Sequence, residues 1–161
     1  MKRALLLMTM LVAGCGYRFA VPGGSLPSGV KSVRVPVFEN RTAEPNVEGL
    51  VTEAVRERYA RAGLLEGAAA EATITGVVLG WSGGVAYPGA PRPTYQVTGT
   101  VRVTLKKGEQ VLREVIVSQM ETFTSGADVL LTESNRGAAI RRLAEVLARD
   151  VVEQLSVPPP S

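Results

Sequence analysis

Apolar and polar residues alternate strictly between Tyr95 and Leu105. Tyr95, Val97, Val101, Val103 and Leu105 fall on one side of an extended chain, and Gln96, Thr98, Thr100, Arg102 and Thr104 on the other. A period of two marks a strand with one buried face. Lys107-Gly108 then predicts a turn, and Val111 to Phe123 an antiparallel partner. Upstream, Ala72 to Trp81 is rich in Thr, Ile and Val and predicts another strand. Residues 82–93 (SGGVAYPGAPRP) hold three prolines and three glycines, which predicts a long loop instead of a tight hairpin.

The spacing changes to three and four in two places. Val47, Leu50, Val51, Ala54 and Val55 share one stripe, predicting a helix over 46–62 that starts at Pro45 or Asn46 and is closed by Gly63. Ile140, Leu143, Ala144, Leu147, Val151 and Leu155 predict a second helix, capped by Thr132 or Ser134 after a loop over 124–133. Val33, Val35 and Val37 alternate as a short first strand, and Pro36 suits an edge because it has no amide proton. The order β-α-β-β-β-α implies an α+β two-layer sandwich, with two helices packed on one face of a four-stranded mixed sheet. Its expected core includes Val35, Val37, Leu50, Val51, Val97, Val101, Leu143 and Leu147. The opposite sheet face would expose Thr98, Thr100, Arg102 and Thr104.

The first residues read differently. Lys2 and Arg3 precede an apolar run from Ala4 to Ala13, and small residues lead to Cys15, the single cysteine. That is the pattern of a secretory signal, and the run is too short to span a bilayer as a helix. Val12-Ala13-Gly14-Cys15 resembles a bacterial lipobox. The resemblance implies cleavage before Cys15, with diacylglycerol on its thiol and an acyl chain on its amine. Several chains hold a protein stably on a membrane where one does not. Gly16, where an aspartate tends to retain lipoproteins at the inner membrane, implies the outer one. The expected organisation is a signal peptide over 1–14, a lipidated N-terminus and flexible tether over 15–29, one domain over 30–156 and a disordered Pro-rich tail over 157–161.

Composition removes several functions. The 161 residues carry 18 Lys+Arg and 15 Asp+Glu. Without Lys2 and Arg3 the balance is 16 against 15, or +1, which does not favour nucleic acid. Histidine is absent and Cys15 is taken by lipid, so His-based nucleophile systems and His- or Cys-ligated zinc are excluded. No phosphate-binding glycine motif is present, and nothing places two carboxylates in an apolar cleft. The expectation is a binding or structural protein, with no catalytic residue, no metal and no cofactor beyond the chains on Cys15. A periplasmic hydrolase is the reading these absences oppose.

Several segments are similar to the LptE family of lipopolysaccharide-assembly lipoproteins: Cys15-Gly16-Tyr17, Leu26-Pro27, Val35-Pro36-Val37-Phe38-Glu39-Asn40-Arg41-Thr42, Glu44-Pro45-Asn46-Val47-Glu48 and Leu50-Val51-Thr52-Glu53-Ala54. Ala138-Ala139-Ile140 and Leu143-Ala144 continue the likeness in the closing helix. The resemblance implies a plug inside the large outer-membrane barrel LptD, facing the periplasm and the barrel lumen. It implies lipopolysaccharide and the inner leaflet of the outer membrane as further partners. Of the family's functional residues, only Cys15 carries over. Lipoproteins that activate peptidoglycan synthases or build secretion channels share part of the pattern and form the alternative.

On the Thr-rich strand face, Arg102 and Lys106 are candidates for the phosphates of the lipopolysaccharide that the resemblance implies, with Arg92 in the long loop as a third. Tyr87, Thr98 and Thr100 are candidates for partner contact, whereas Trp81 and Tyr95 are expected to fill the core. For the anchor, Cys15→Ala should leave the precursor uncleaved by lipoprotein signal peptidase, and intact-mass measurement reads the outcome. A wild-type chain that is uncut and bears a free thiol would refute the lipobox.

Overall fold

The computed structural model describes residues 26–89 and 91–156; Cys15, the 1–14 signal and the 157–161 tail lie outside them. A 3-10 turn at Pro27–Gly29 is followed by β1 (Val33–Arg34), β2 (Glu39–Asn40), α1 (Val47–Arg61), β3 (Ala72–Tyr87), β4 (Thr94–Lys107), β5 (Gln110–Thr124) and α2 (Val129–Ser156). The fold is α+β, with both helices on one face of a mixed sheet. The sheet runs β1-β3-β4-β5, and β2 also pairs with β3. The expected first strand is thus two short ones, and the sheet has five strands.

The β4–β5 hairpin is the element most plainly written in the sequence. Its register runs from Thr94 opposite Thr124 to Lys107 opposite Gln110, and Gly108 supplies the positive φ of 58° at the turn. Val97, Val101, Val103 and Leu105 are buried as alternation requires, with Val115 and Val117 on the same side.

β3 departs from expectation. It continues to Tyr87, so the first six residues of the expected 82–93 loop are strand and the connection is only 88–93. Two register shifts, between Val78 and Gly80 and between Val85 and Tyr87, conceal the period of two. Each adds a residue and moves the following side chains to the other face. Ala72, Ile74 and Val78 point to the core before the first shift. After it, Trp81, Gly83 and Val85 take the helix side of the sheet, opposite Gly99, Val97 and Tyr95. Trp81 lies across Gly99, where a Cβ would sit 2.8 Å from the indole.

β1 and β2 run parallel to β3, with Val33 opposite Ala72 and Glu39 opposite Val77. The break between them overturns one expected core residue. Val37 is 63 % exposed, whereas Val35 and Phe38 are each 3 % exposed. Pro36 cannot extend the ladder, and the Phe38 amide instead donates to Thr52 Oγ1 of α1 at 3.0 Å. The Phe38 ring then rests on Gly76, which has no Cβ to oppose it.

α1 buries Val47, Val51, Val55 and Tyr59, one every four residues, while Leu50 packs only partly against the core. It ends at Gly63, as expected, with φ of 68°. α2 starts earlier than expected, at Val129. Asp128 caps it by accepting the Leu131 amide at 2.8 Å, so Thr132 and Ser134 are inside the helix. Thr132 Oγ1 accepts the Gly126 amide at 3.0 Å and donates to the Asp128 carbonyl at 2.8 Å. The buried stripe of α2, including Leu143, Leu147, Val151 and Leu155, begins only at Ala139. The expected tether also reaches too far: Leu26 is 2 % exposed and joins the core, so the fold begins before residue 30.

Tyr59 is fully buried and its hydroxyl has no hydrogen-bond partner among the described residues. Burial pushes its phenol well above the ordinary value. An unpartnered buried hydroxyl costs desolvation without return, so Tyr59→Phe should be neutral or stabilising by up to about 1 kcal/mol in urea unfolding at neutral pH. Because the folded phenol titrates higher than the unfolded one, near 10, the wild type loses stability as pH rises above that value. Tyr59→Phe should flatten that alkaline loss, measured by melting temperature against pH.

Candidate functional site

The sheet face turned away from the helices carries the residues singled out from the sequence. Register aligns them in rows across β3, β4 and β5: Thr75–Thr104–Glu114, Val77–Arg102–Ile116, Gly80–Thr100–Ser118 and Ser82–Thr98–Met120. Ile116 and Met120 are 55 % and 54 % exposed, so no described element covers this part of the face. The rows are bound laterally. The Thr100 and Ser118 hydroxyls lie 3.0 Å apart, and Thr104 Oγ1 donates to Glu114 Oε2 at 3.1 Å.

Arg102 and Lys106 share the face but not the electrostatics. Arg102 Nε lies 3.9 Å from Glu114 Oε1, so its charge is already offset across the hairpin. Lys106 is exposed and has no ion pair among the described residues. Register supplies a companion that sequence reasoning passed over. Arg34 lies opposite Thr73, and Thr73 opposite Lys106. Arg34 and Lys106 therefore occupy one row two strands apart, about 9–10 Å. Arg34 is exposed and likewise makes no ion pair among the described residues. Its alternation with Val33 and Val35 was legible. The pairing of a two-residue strand was not.

The other candidates scatter. Arg92 is exposed in the β3–β4 connection, far along the hairpin from Lys106. Tyr87 is 67 % exposed, and the second register shift places it opposite Thr94. Thr98 and Thr100 stand mid-face. Trp81 packs partly against the core, as expected. Tyr95 is half-buried and stacks on Phe123 with centroids 5.3 Å apart.

The segment from Glu39 to Glu48 is a built loop. Asn40 Nδ2 donates to the Glu44 carbonyl and to Glu48 Oε2, both at 2.8 Å, and Asn40 Oδ1 accepts from the Thr42 amide and hydroxyl. Glu39 and Arg41 are paired at 2.8 Å. Their hydrogen bond holds the Glu39 carboxyl below, and the Arg41 guanidinium above, its ordinary value. Glu44 in turn pairs with Arg136 of α2. These polar side chains bond to one another, fastening the entry to α1 onto α2.

Among the described residues no group of three or more His, Cys, Asp or Glu could hold a metal ion. No described helix is long and apolar enough to cross a membrane. What the outer face offers is hydroxyls, three exposed apolar side chains (Val111, Ile116 and Met120) and, in Arg34 and Lys106, two cations without an ion pair among the described residues.

Residues 30–155 match the family model LptE: Lipopolysaccharide-assembly. Among curated proteins the chain has no match. Solved structures with the same fold include a protein from Caulobacter crescentus CB15, at 18 % identity and TM-score 0.54, covering 74 % of this chain and 88 % of that one. The minor lipoprotein of Acinetobacter baumannii is similar at 12 % identity and TM-score 0.51, covering 79 % and 92 %. Rare lipoprotein B of Shewanella oneidensis is similar at 12 % and 0.51, covering 75 % and 91 %. At these identities the structures speak for the fold alone.

Proposed function

Because the chain belongs to the LptE family of lipopolysaccharide-assembly lipoproteins, we propose that it is the lipid-anchored plug of an outer-membrane β-barrel that delivers lipopolysaccharide to the outer leaflet. The family is an assembly family of the cell envelope, without an enzymatic role. The finer reading is supported chiefly by the outer sheet face. Large barrels have polar, water-filled interiors, and a plug in such a lumen needs a surface that exchanges hydrogen bonds with it. Rows of Thr and Ser hydroxyls, with Arg102 among them offset by Glu114, meet that need. Thr98, Thr100 and Tyr87 are the contacts proposed for the barrel wall. Lipidation of Cys15 and residence in the outer membrane belong to the same proposal.

Co-expression with the organism's own lipopolysaccharide-transport barrel should yield a stable one-to-one complex, read by co-purification and mass. A barrel that folds and purifies fully without this protein, with no complex formed, would overturn the plug reading. A peptidoglycan synthase or secretion-channel subunit in its place would favour another envelope complex.

For lipopolysaccharide itself, Arg34 and Lys106 are the proposed phosphate contacts, ahead of Arg102, whose charge Glu114 already offsets. Attraction between exposed charges weakens with salt. Arg34→Glu/Lys106→Glu should therefore weaken lipopolysaccharide binding at least about tenfold at low salt and flatten its salt dependence. Arg102→Gln should change it little. Arg92→Glu matching the double variant would move the site to the β3–β4 connection.

A further inference from the structure

We propose that the cleft at the Tyr87 end of the sheet, on the helix side, is a binding site for a single acyl chain of an amphiphile. This site lies on the opposite face from the cations discussed above and needs neither them nor the barrel.

The cleft has a volume of about 490 Å³, within the roughly 300–1,000 Å³ typical of sites for small ligands. It exists because α1 covers only part of the sheet's core side, leaving α2 as one wall beside the far end of β3, β4 and β5. Val85, Tyr95, Val97 and Phe123 form an apolar floor, with Gly83 leaving a gap above Val97. At one end Arg136 is held by Glu44 and Glu133. Val85 of the floor is 54 % exposed, and Val129, in the first turn of α2, is 77 % exposed. Val129 shares a helical stripe with Thr132, Glu133 and Arg136, which line the cleft.

The chemistry of the floor selects the occupant. Its backbone groups are spent in the β3–β4 ladder, where Gly83 faces Val97 and Val85 faces Tyr95. The Thr132 hydroxyl is committed to Gly126 and Asp128, and Arg136 to two carboxylates. Gln96, Glu133 and the Tyr95 hydroxyl remain in the lining, too few partners for the many polar groups of a peptide backbone or a sugar, which would be buried there at a cost. A hydrocarbon chain has none to satisfy and removes exposed valine and aromatic surface from water.

The test is titration of the purified protein with the fluorescent fatty acid 11-(dansylamino)undecanoic acid, displaced by lauric acid. Saturable binding with a blue-shifted emission is expected. Gly83→Leu fills the cleft: a Cβ there would lie 3.4 Å from the Gln96 carbonyl oxygen and 3.7 Å from Val97, ordinary contact for a strand residue. It should raise the probe's Kd at least about tenfold, with an unchanged or higher melting temperature showing that the fold is intact. Val111→Ser removes a valine of similar exposure, 52 %, at the other end of the hairpin, and should leave the Kd within about twofold. Displacement by purified lipopolysaccharide but not by phosphatidylethanolamine vesicles would place the chain on lipopolysaccharide, and the reverse on phospholipid. Absence of saturable binding overturns the proposal. So does Gly83→Leu binding as the wild type does, or Val111→Ser losing as much as Gly83→Leu. None of these outcomes bears on the barrel complex, which is read by co-purification.

Discussion

The three long strands span 14 to 16 residues each, roughly 45–55 Å of extended chain. The 15 residues of α1 make about 22 Å of helix and the 28 of α2 about 42 Å. A sheet that long cannot be covered by helices that short, and the shortfall organises the molecule. Over the near half, both helices lie on the sheet and the core is dry, with Val33, Ile74, Val101 and Leu147 fully buried. Over the far half only the first turns of α2 remain, and Val85 and Val129 stay wet. No described helix lies along the other face, so its side chains must be compatible with water or with a polar partner. Thr and Ser fill that requirement while keeping strand propensity.

How much of this could be read from the chain depended on whether the local period survived. β4 keeps its alternation without interruption, and its buried residues were all legible. β3 is as long, but two extra residues reset its period, and Gly83-Gly84 reads locally as a turn. Its length is set by the ladder with β4, a non-local fact. The first strand failed in a related way. Val33, Val35 and Val37 alternate, yet Pro36 ends the ladder and Thr52, from the next helix, takes the Phe38 amide. That leaves Phe38 buried and Val37 outside. The start of α2 was missed because its first ten residues bury nothing, so amphipathic spacing had no signal there, whereas Asp128 three residues before Leu131 did carry one.

The candidate site shows the same division between local and non-local information. Alternation correctly placed Arg102, Lys106, Thr98 and Thr100 on one face. It could not say which cation was already offset, since Glu114 comes from the neighbouring strand. Nor could it bring Arg34 into the row of Lys106, because that depends on a two-residue parallel pairing with Thr73, far along the chain, and then on the β3–β4 register.

The residues that carried the family resemblance turn out to build the fold. Asn40, Thr42, Glu44 and Glu48 bond to one another and to the backbone of a single loop, and Glu44 reaches α2 through Arg136. Their job is to set the angle at which the chain enters α1, which fixes the one stripe, Val47 to Tyr59, that can seal the near half of the core. Such a loop tolerates few substitutions because each polar group in it would otherwise be left partly buried without a partner. An exposed contact surface is under no such constraint: a threonine or an arginine on the outer face can be moved by two positions along a strand and still point outward. It follows that membership in the family is legible in the loop and the helix seam, while the contacts with barrel and lipid have to be located by register, exposure and charge in this particular chain.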